Sequence, residues 1–250
     1  MFNKNSFALA ATLVAGVLAT GAVSAATVEA TGGYGGGAYP SATISGTVNG
    51  ASAGGYAGVA QFTRTGGDAT EILLTNSPAG VFYAICLEFN EFLQGGTKTW
   101  NLGALSGAPD DANNNVLSGM GTARAADMAR LLNGAYPNWG SALTQVEATA
   151  LQLAVWEISI ENSGTYNLTD GLIKFNTGSI NATALSLANT YLANVTNGTF
   201  NNSTMYYLAL TNDGHQDFVV KTVPLPAAAW LLLSGLLGFG ALGRRRAVAS

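Results

Sequence analysis

From Ala150 to Trp156 the chain reads Ala-Leu-Gln-Leu-Ala-Val-Trp, a stretch in which Gln152 is the only strongly polar side chain. Thr144 followed three positions on by Glu147 is a capping-box pattern that starts a helix, and Asn162-Ser163-Gly164 stops it beyond Glu161. A helix that is apolar all round has no face to give to water, so it must be packed on every side. The rest of the chain has to wrap around it, and the Gln152 amide is carried into the core, where it needs a hydrogen-bond partner. That partner is a backbone group, a water or Cys86.

Strand character appears at Gly58 to Thr63, Glu71 to Thr75 and Val81 to Phe89. In the last segment Val81, Tyr83, Ile85, Leu87 and Phe89 alternate with Phe82, Ala84, Cys86 and Glu88, which puts Cys86 on a face that is apolar until Glu88. A helix is predicted from Ala123 to Leu132, ended by Asn133-Gly134. Another is predicted from Ala182 to Val195, with Leu185, Ala188, Tyr191, Leu192 and Val195 on one stripe. Two final strands, Met205 to Thr211 and Asp217 to Val223, flank the turn Asn212-Asp213-Gly214. The order of these elements predicts an α+β fold: a mostly antiparallel sheet or sandwich with about three helices. Residues 27–56, rich in Gly, Ala and Ser, read as a mobile lead-in or irregular edge strands, with the folded domain over 57–222.

Charge is scarce: 48% of the 250 residues are hydrophobic and only 10% charged, against roughly 25% in ordinary soluble chains. The polar surface must come from Asn, Thr, Ser and Gly. Lys4 and the cluster Arg244, Arg245 and Arg246 lie at the two ends, so between them six basic residues face fourteen acidic ones, a formal charge of −8. An acidic surface gives phosphate backbones nothing to bind, which excludes nucleic acid as a partner. One cysteine, Cys86, and one histidine, His215, can make neither an internal disulfide nor a structural zinc site. Asp111, Asn113 and Asn115 alternate as calcium ligands do, but their loop lacks the glycine and terminal glutamate of an EF-hand and reads as a solvated turn. No cofactor or metal is implied.

The ends read as addresses. Lys4, the apolar run from Phe7 to Leu18 and the small residues Ala22 to Ala26 form a secretory signal over residues 1–26, which commits the chain to the Sec translocon. At the other end Val223-Pro224-Leu225-Pro226 precedes an uncharged run from Ala227 to Leu242 and then the three arginines. Those sixteen positions span roughly 24 Å as a helix, a short transmembrane segment whose arginines stay cytoplasmic. Residues 223–250 resemble the PEP-CTERM sorting tails of Gram-negative bacteria, in the variant reading Val-Pro-Leu-Pro-Ala, with Leu225 where the parent motif has Glu. The resemblance implies an inner-membrane intermediate, processing by an exosortase-type enzyme near the proline motif, and a final place at the cell surface or outside the cell.

A second resemblance lies in the middle of the chain. Phe82-Tyr83-Ala84-Ile85-Cys86-Leu87-Glu88, taken with Leu151-Gln152-Leu153-Ala154-Val155-Trp156-Glu157, is similar to the thioester domains of bacterial surface adhesins. In those domains a strand Cys and a Gln in a Thr-Gln-x-Ala-Ile/Val-Trp segment join their side chains; here Leu151 stands in place of the Thr. The resemblance implies that Cys86 and Gln152 are the reactive pair of a covalent adhesin, not an enzyme, and that the bond acylates an amine on a surface or matrix partner. Such a bond needs a sheltered apolar pocket, for which Phe82, Leu153 and Trp156 are candidate walls. Glu88 and Glu157 are candidate proton shuttles, although the plainer expectation is that both are solvated ends of their elements. Two other readings compete: a cysteine hydrolase using Cys86 and His215, and a passive structural protein of an extracellular matrix.

Overall fold

In the computed structural model, residues 26–34, 41–69, 72–73, 80–109, 119–201 and 206–223 are described. Residues 1–25, which hold all but the last position of the stretch read as a secretory signal, the Asp111 to Asn115 segment and the residues from Pro224 onward lie outside them.

Among the described residues ten strands and three α-helices follow one another: β1 Ala26–Gly33, β2 Ala42–Val48, β3 Ala51–Ala57, β4 Val59–Gly66, β5 Ile72–Leu73, β6 Val81–Cys86, β7 Lys98–Ala104, α1 Gly121–Ala135, α2 Gln145–Ile160, β8 Ile173–Phe175, α3 Ala182–Thr196, β9 Tyr207–Thr211 and β10 Phe218–Val223. The fold is α+β, and every strand pairing is antiparallel. The main sheet runs β5-β10-β6-β4-β1-β7-β9, and β9 also pairs with β10. That last pairing closes six of the strands into a ring, so the expected sheet or sandwich is a small barrel with β5 added outside it.

Residues directly opposite each other in an antiparallel pair share a face. The register sets Phe62 against Phe82, Val28 against Trp100, and Phe218 against both Cys86 and Leu210. The Phe62 ring lies 5.4 Å from Trp100 and 5.1 Å from Phe218, on strands that are not its neighbours, so this face is the barrel interior. Four aromatic rings fill it, and Cys86 is the last interior residue of β6. The outer face, with Tyr207 among its residues, is covered by helices; the Tyr207 hydroxyl donates to Asn133 of α1.

The glycine-rich stretch does not behave as a lead-in. β1 is paired on both sides, by β4 and β7, because Val28 and Ala30 supply alternate buried positions that the small residues between them do not obstruct. Among the described residues the fold therefore already includes β1, β2 and β3, ahead of residue 57. β2 and β3 form a hairpin closed by Asn49 and Gly50, both at positive φ (49° and 79°), the geometry of a two-residue turn. With β8 they make a second, three-stranded sheet.

Between this sheet, the barrel and helices α1 and α3 lies α2. The capping box is present as the sequence predicts: Thr144 Oγ1 accepts from Glu147 N, and Glu147 Oε2 accepts from Thr144 N. Every residue from Ala148 to Ile160 is buried. Among the described residues no helix is long and apolar enough to cross a membrane.

A candidate site at the mouth of the barrel

Cys86 ends β6, and the chain then leaves the sheet along the length of α2. Two polar side chains of α2 hold the helix to this segment: Gln152 Nε2 donates to the Cys86 carbonyl at 2.7 Å, and Ser159 Oγ donates to the Leu87 carbonyl at 2.7 Å. Gln152, Trp156 and Ser159 stand four and three residues apart, so they share one stripe of the helix. The Trp156 ring between them packs on Phe89 (4.6 Å) and Phe175 (6.2 Å), with Gly55 of β3 against its edge.

Cys86 and Gln152 are both completely buried. The thiol donates to the Glu88 carbonyl at 2.8 Å, and Glu88 N donates back to the sulfur at 3.3 Å. Burial pushes the Cys86 thiol well above the usual cysteine range, and the neighbouring Glu88 carboxylate adds to the effect. The Trp156 indole opposes this shift from close by, without a hydrogen bond of ordinary geometry to the sulfur. The Tyr34 hydroxyl also lies beside the sulfur; burial raises its own pKa well above the ordinary tyrosine value. Two buried polar atoms around the pair, Gln152 Oε1 and Trp156 Nε1, have no hydrogen-bond partner. Unpartnered polar atoms in a core are costly, so a cluster of them beside one thiol calls for a chemical account.

The two glutamates are not solvated ends. Glu88 is 1% exposed and its Oε2 accepts from Asp217 N at 2.7 Å. Glu157 is also buried and accepts from Asn167 N at 2.6 Å. The capped termini expected to carry them into water are instead overlaid, Glu88 by the start of β10 and Glu157 by the loop around Asn167. Burial pushes Glu157 up to about 8, the Asn167 amide pulls it down, and nearby Glu161 pushes it up again. Of the two, Glu88 acts on the sulfur, whereas Glu157 is engaged with Asn167 and Glu161.

Of the three expected walls, Trp156 adjoins the sulfur. Phe82 lies four residues earlier on the same interior face, stacked on Phe62 at 5.5 Å. Leu153 is buried one position beyond Gln152, about 100° further round the helix. His215 sits in the turn before β10, its amide bonded to Asn212 O and its ring acted on by burial and Lys98; it is not among the groups that shift the thiol. Val223, the first residue of the expected sorting motif, belongs to β10 and pairs with Ile72. Its remaining residues, Pro224, Leu225, Pro226 and the three arginines, lie outside the described residues.

Tyr34 and Gln216 are the site residues that the sequence reading passed over. Tyr34 follows Gly32 and Gly33, and a β-carbon on Gly32 would collide with the Gln61 carbonyl of β4. The glycines let the chain turn off the barrel edge and set one large side chain against the interior. No protein family, curated protein or solved structure matches the chain. Among the described residues no cluster of three or more His, Cys, Asp or Glu side chains could hold a metal ion.

Proposed function

We propose that this is an exported surface protein whose Cys86 and Gln152 side chains condense to an internal thioester that acylates amines on a partner. The observation that carries the proposal is the 2.7 Å bond from Gln152 Nε2 to the Cys86 carbonyl. It sets the Gln152 carboxamide against the main chain of Cys86, 66 positions away in sequence, where both residues are fully buried. Proximity and orientation of this kind are the main requirement for an intramolecular acyl transfer. The sulfur attacks the Gln152 amide carbon, an oxyanion forms on Oε1, and collapse breaks the C–N bond. The thiol proton leaves with the nitrogen, so the products are the thioester and ammonia.

The Trp156 indole N–H, one helical turn from Gln152 and without a partner, is the donor available to the developing oxyanion. Glu88 is the carboxylate available to carry the thiol proton, since its charge already reaches the sulfur. Export and sorting rest on the secretory segment and the proline-and-arginine tail. Cleavage after Ala25 would leave β1 whole.

Intact mass of the mature protein recovered from outside the cell tests the reading. The thioester lowers the mass by one ammonia, about 17 Da, and methylamine replaces that loss with an adduct on Gln152. A protein at its full calculated mass, unmoved by methylamine, refutes it. One observation favours a passive structural role: the Cys86 thiol is already hydrogen-bonded in both directions to the Glu88 main chain. In that case the Gln152 amide only staples α2 to β6.

A further inference from the structure

Among the described residues three large apolar side chains are exposed, Tyr56, Phe92 and Tyr206, and the first two, at 52% and 61%, line the same cavity. Single exposed rings are ordinary, but two that converge on one concave spot mark a place where something docks. The cavity measures about 240 Å³ and is also lined by Tyr34, Leu93 and Gln216. The Tyr34 and Tyr56 rings lie 6.0 Å apart, tilted by 38°. Gln216 is 2% exposed; its Nε2 donates to the carbonyl of Glu91, the residue before Phe92, and its Oε1 has no partner. One bond thus fixes the carboxamide to the segment that carries Phe92 and leaves one acceptor over. No charged side chain lines the cavity.

From these features we infer that the cavity is a binding site for one pyranose unit of a neutral glycan. Other ligand classes each lack something. A charged group taken out of water needs an opposite charge, which the lining does not supply, and the net acidic body repels acidic glycans in particular. A wholly apolar ligand leaves Gln216 Oε1 buried and unpaired. A proline-rich peptide brings rings and carbonyl acceptors, but its prolines have no N–H to give that oxygen. A neutral pyranose brings both of the required parts. Its C–H faces, slightly positive, pack on the electron-rich faces of Tyr56 and Phe92, and a hydroxyl at the ring edge donates to Gln216 Oε1. The volume falls below the roughly 300 to 1,000 Å³ of ordinary small-molecule sites, so a single ring is held and the neighbouring units of the glycan stay in solvent. The contact is reversible and uses nothing from the thiol, so it stands apart from the thioester reading.

Saturation-transfer NMR on the mature protein tests the site. The neutral probes are glucose, maltose, cellobiose and N,N′-diacetylchitobiose; glucuronic acid, glucosamine and a proline-rich peptide are the contrasts. The expected result is transfer from aromatic protons to the ring C–H protons of at least one neutral disaccharide and to none of the contrasts, whether or not the sample carries the 17 Da deficit. Tyr56→Ala and Phe92→Ser, both at exposed positions, should each weaken that binding by about tenfold, the loss of one stacking contact. Tyr206→Ala, which removes an exposed ring outside the cavity, should leave it unchanged. Any of four results overturns the proposal: no transfer to a neutral probe, glucose accepted but every disaccharide refused, binding that survives both cavity substitutions or falls equally with Tyr206→Ala, or a contrast that binds as well as the sugars. The last of these would make the cavity a peptide groove or a charged-ligand site instead.

Discussion

Glu157 allows the burial of this site to be measured without any chemistry at the thiol. In the fold its carboxyl titrates at about 8 instead of 4.5. Below pH 4.5 both the folded and unfolded chains hold the proton, and the group adds no penalty. As pH rises above 4.5 the unfolded chain ionises first, so the native state loses ground at up to about 1.4 kcal/mol per pH unit until pH 8, and the loss then levels off. Over the full window the shift corresponds to about 4 to 5 kcal/mol, a large fraction of a typical domain's stability. Glu157→Gln keeps an oxygen to accept from Asn167 N but has no charge to bury. Chemical denaturation at pH 4.5, 6, 7.5 and 9 should therefore give nearly equal stabilities at the acid end and a growing advantage for the variant, reaching several kcal/mol at pH 9. The mass deficit should be unchanged, because Glu157 is turned toward Asn167 and Glu161. Parallel stability curves would refute the assigned burial; a lost deficit would refute the division of roles between Glu157 and Glu88.

Replacing the aromatic at the centre of the barrel, Phe62→Ala, should cost about 3 to 5 kcal/mol in equilibrium denaturation, since its ring meets Phe82, Trp100 and Phe218. Trp156→Phe keeps the packing on Phe89 and Phe175 but removes the indole N–H. Its 17 Da deficit should develop about a hundredfold more slowly after refolding, and an unchanged time course would discard the indole as oxyanion donor. His215→Ala should leave both the deficit and the methylamine adduct intact; their loss would revive the cysteine hydrolase.

The parts of the fold that the sequence revealed are those with strong local signals. The helix α2 announces itself through Thr144, Glu147 and a run with no polar face, and its central position follows from having nothing to show to water. Two further helices and the strands β4, β6, β9 and β10 carry ordinary periodicity. The barrel was not legible, because the β9–β10 hairpin closes a ring only when β9 also pairs with β7 and β10 with β6, partners far away in the chain that leave no mark on either strand. β1 escaped notice for a different reason: its Gly and Ala content is that of a linker, and only two-sided pairing makes Val28 and Ala30 a core. The Asn49-Gly50 turn was a readable hairpin signal that the glycine-rich surroundings hid. At the site, Cys86 and Gln152 stood out as the only thiol and the one amide in the apolar stretch from Ala150 to Trp156. Tyr34 and Gln216 did not, since their importance comes from where the barrel edge turns and not from their neighbours in the chain.

The position of β10 has a consequence for timing. Phe218 flanks Cys86 across the strand pair, Asp217 covers Glu88, and the ring closes only when β10 lies between β6 and β9. This strand is also the one that runs straight into the proline motif. On the export route proposed above, the thiol and the amide therefore lack their shelter until this strand has emerged, and an acylating group has no enclosed place to ripen beforehand. Any such reactivity would then switch on only beyond the membrane, sparing the cell that makes it.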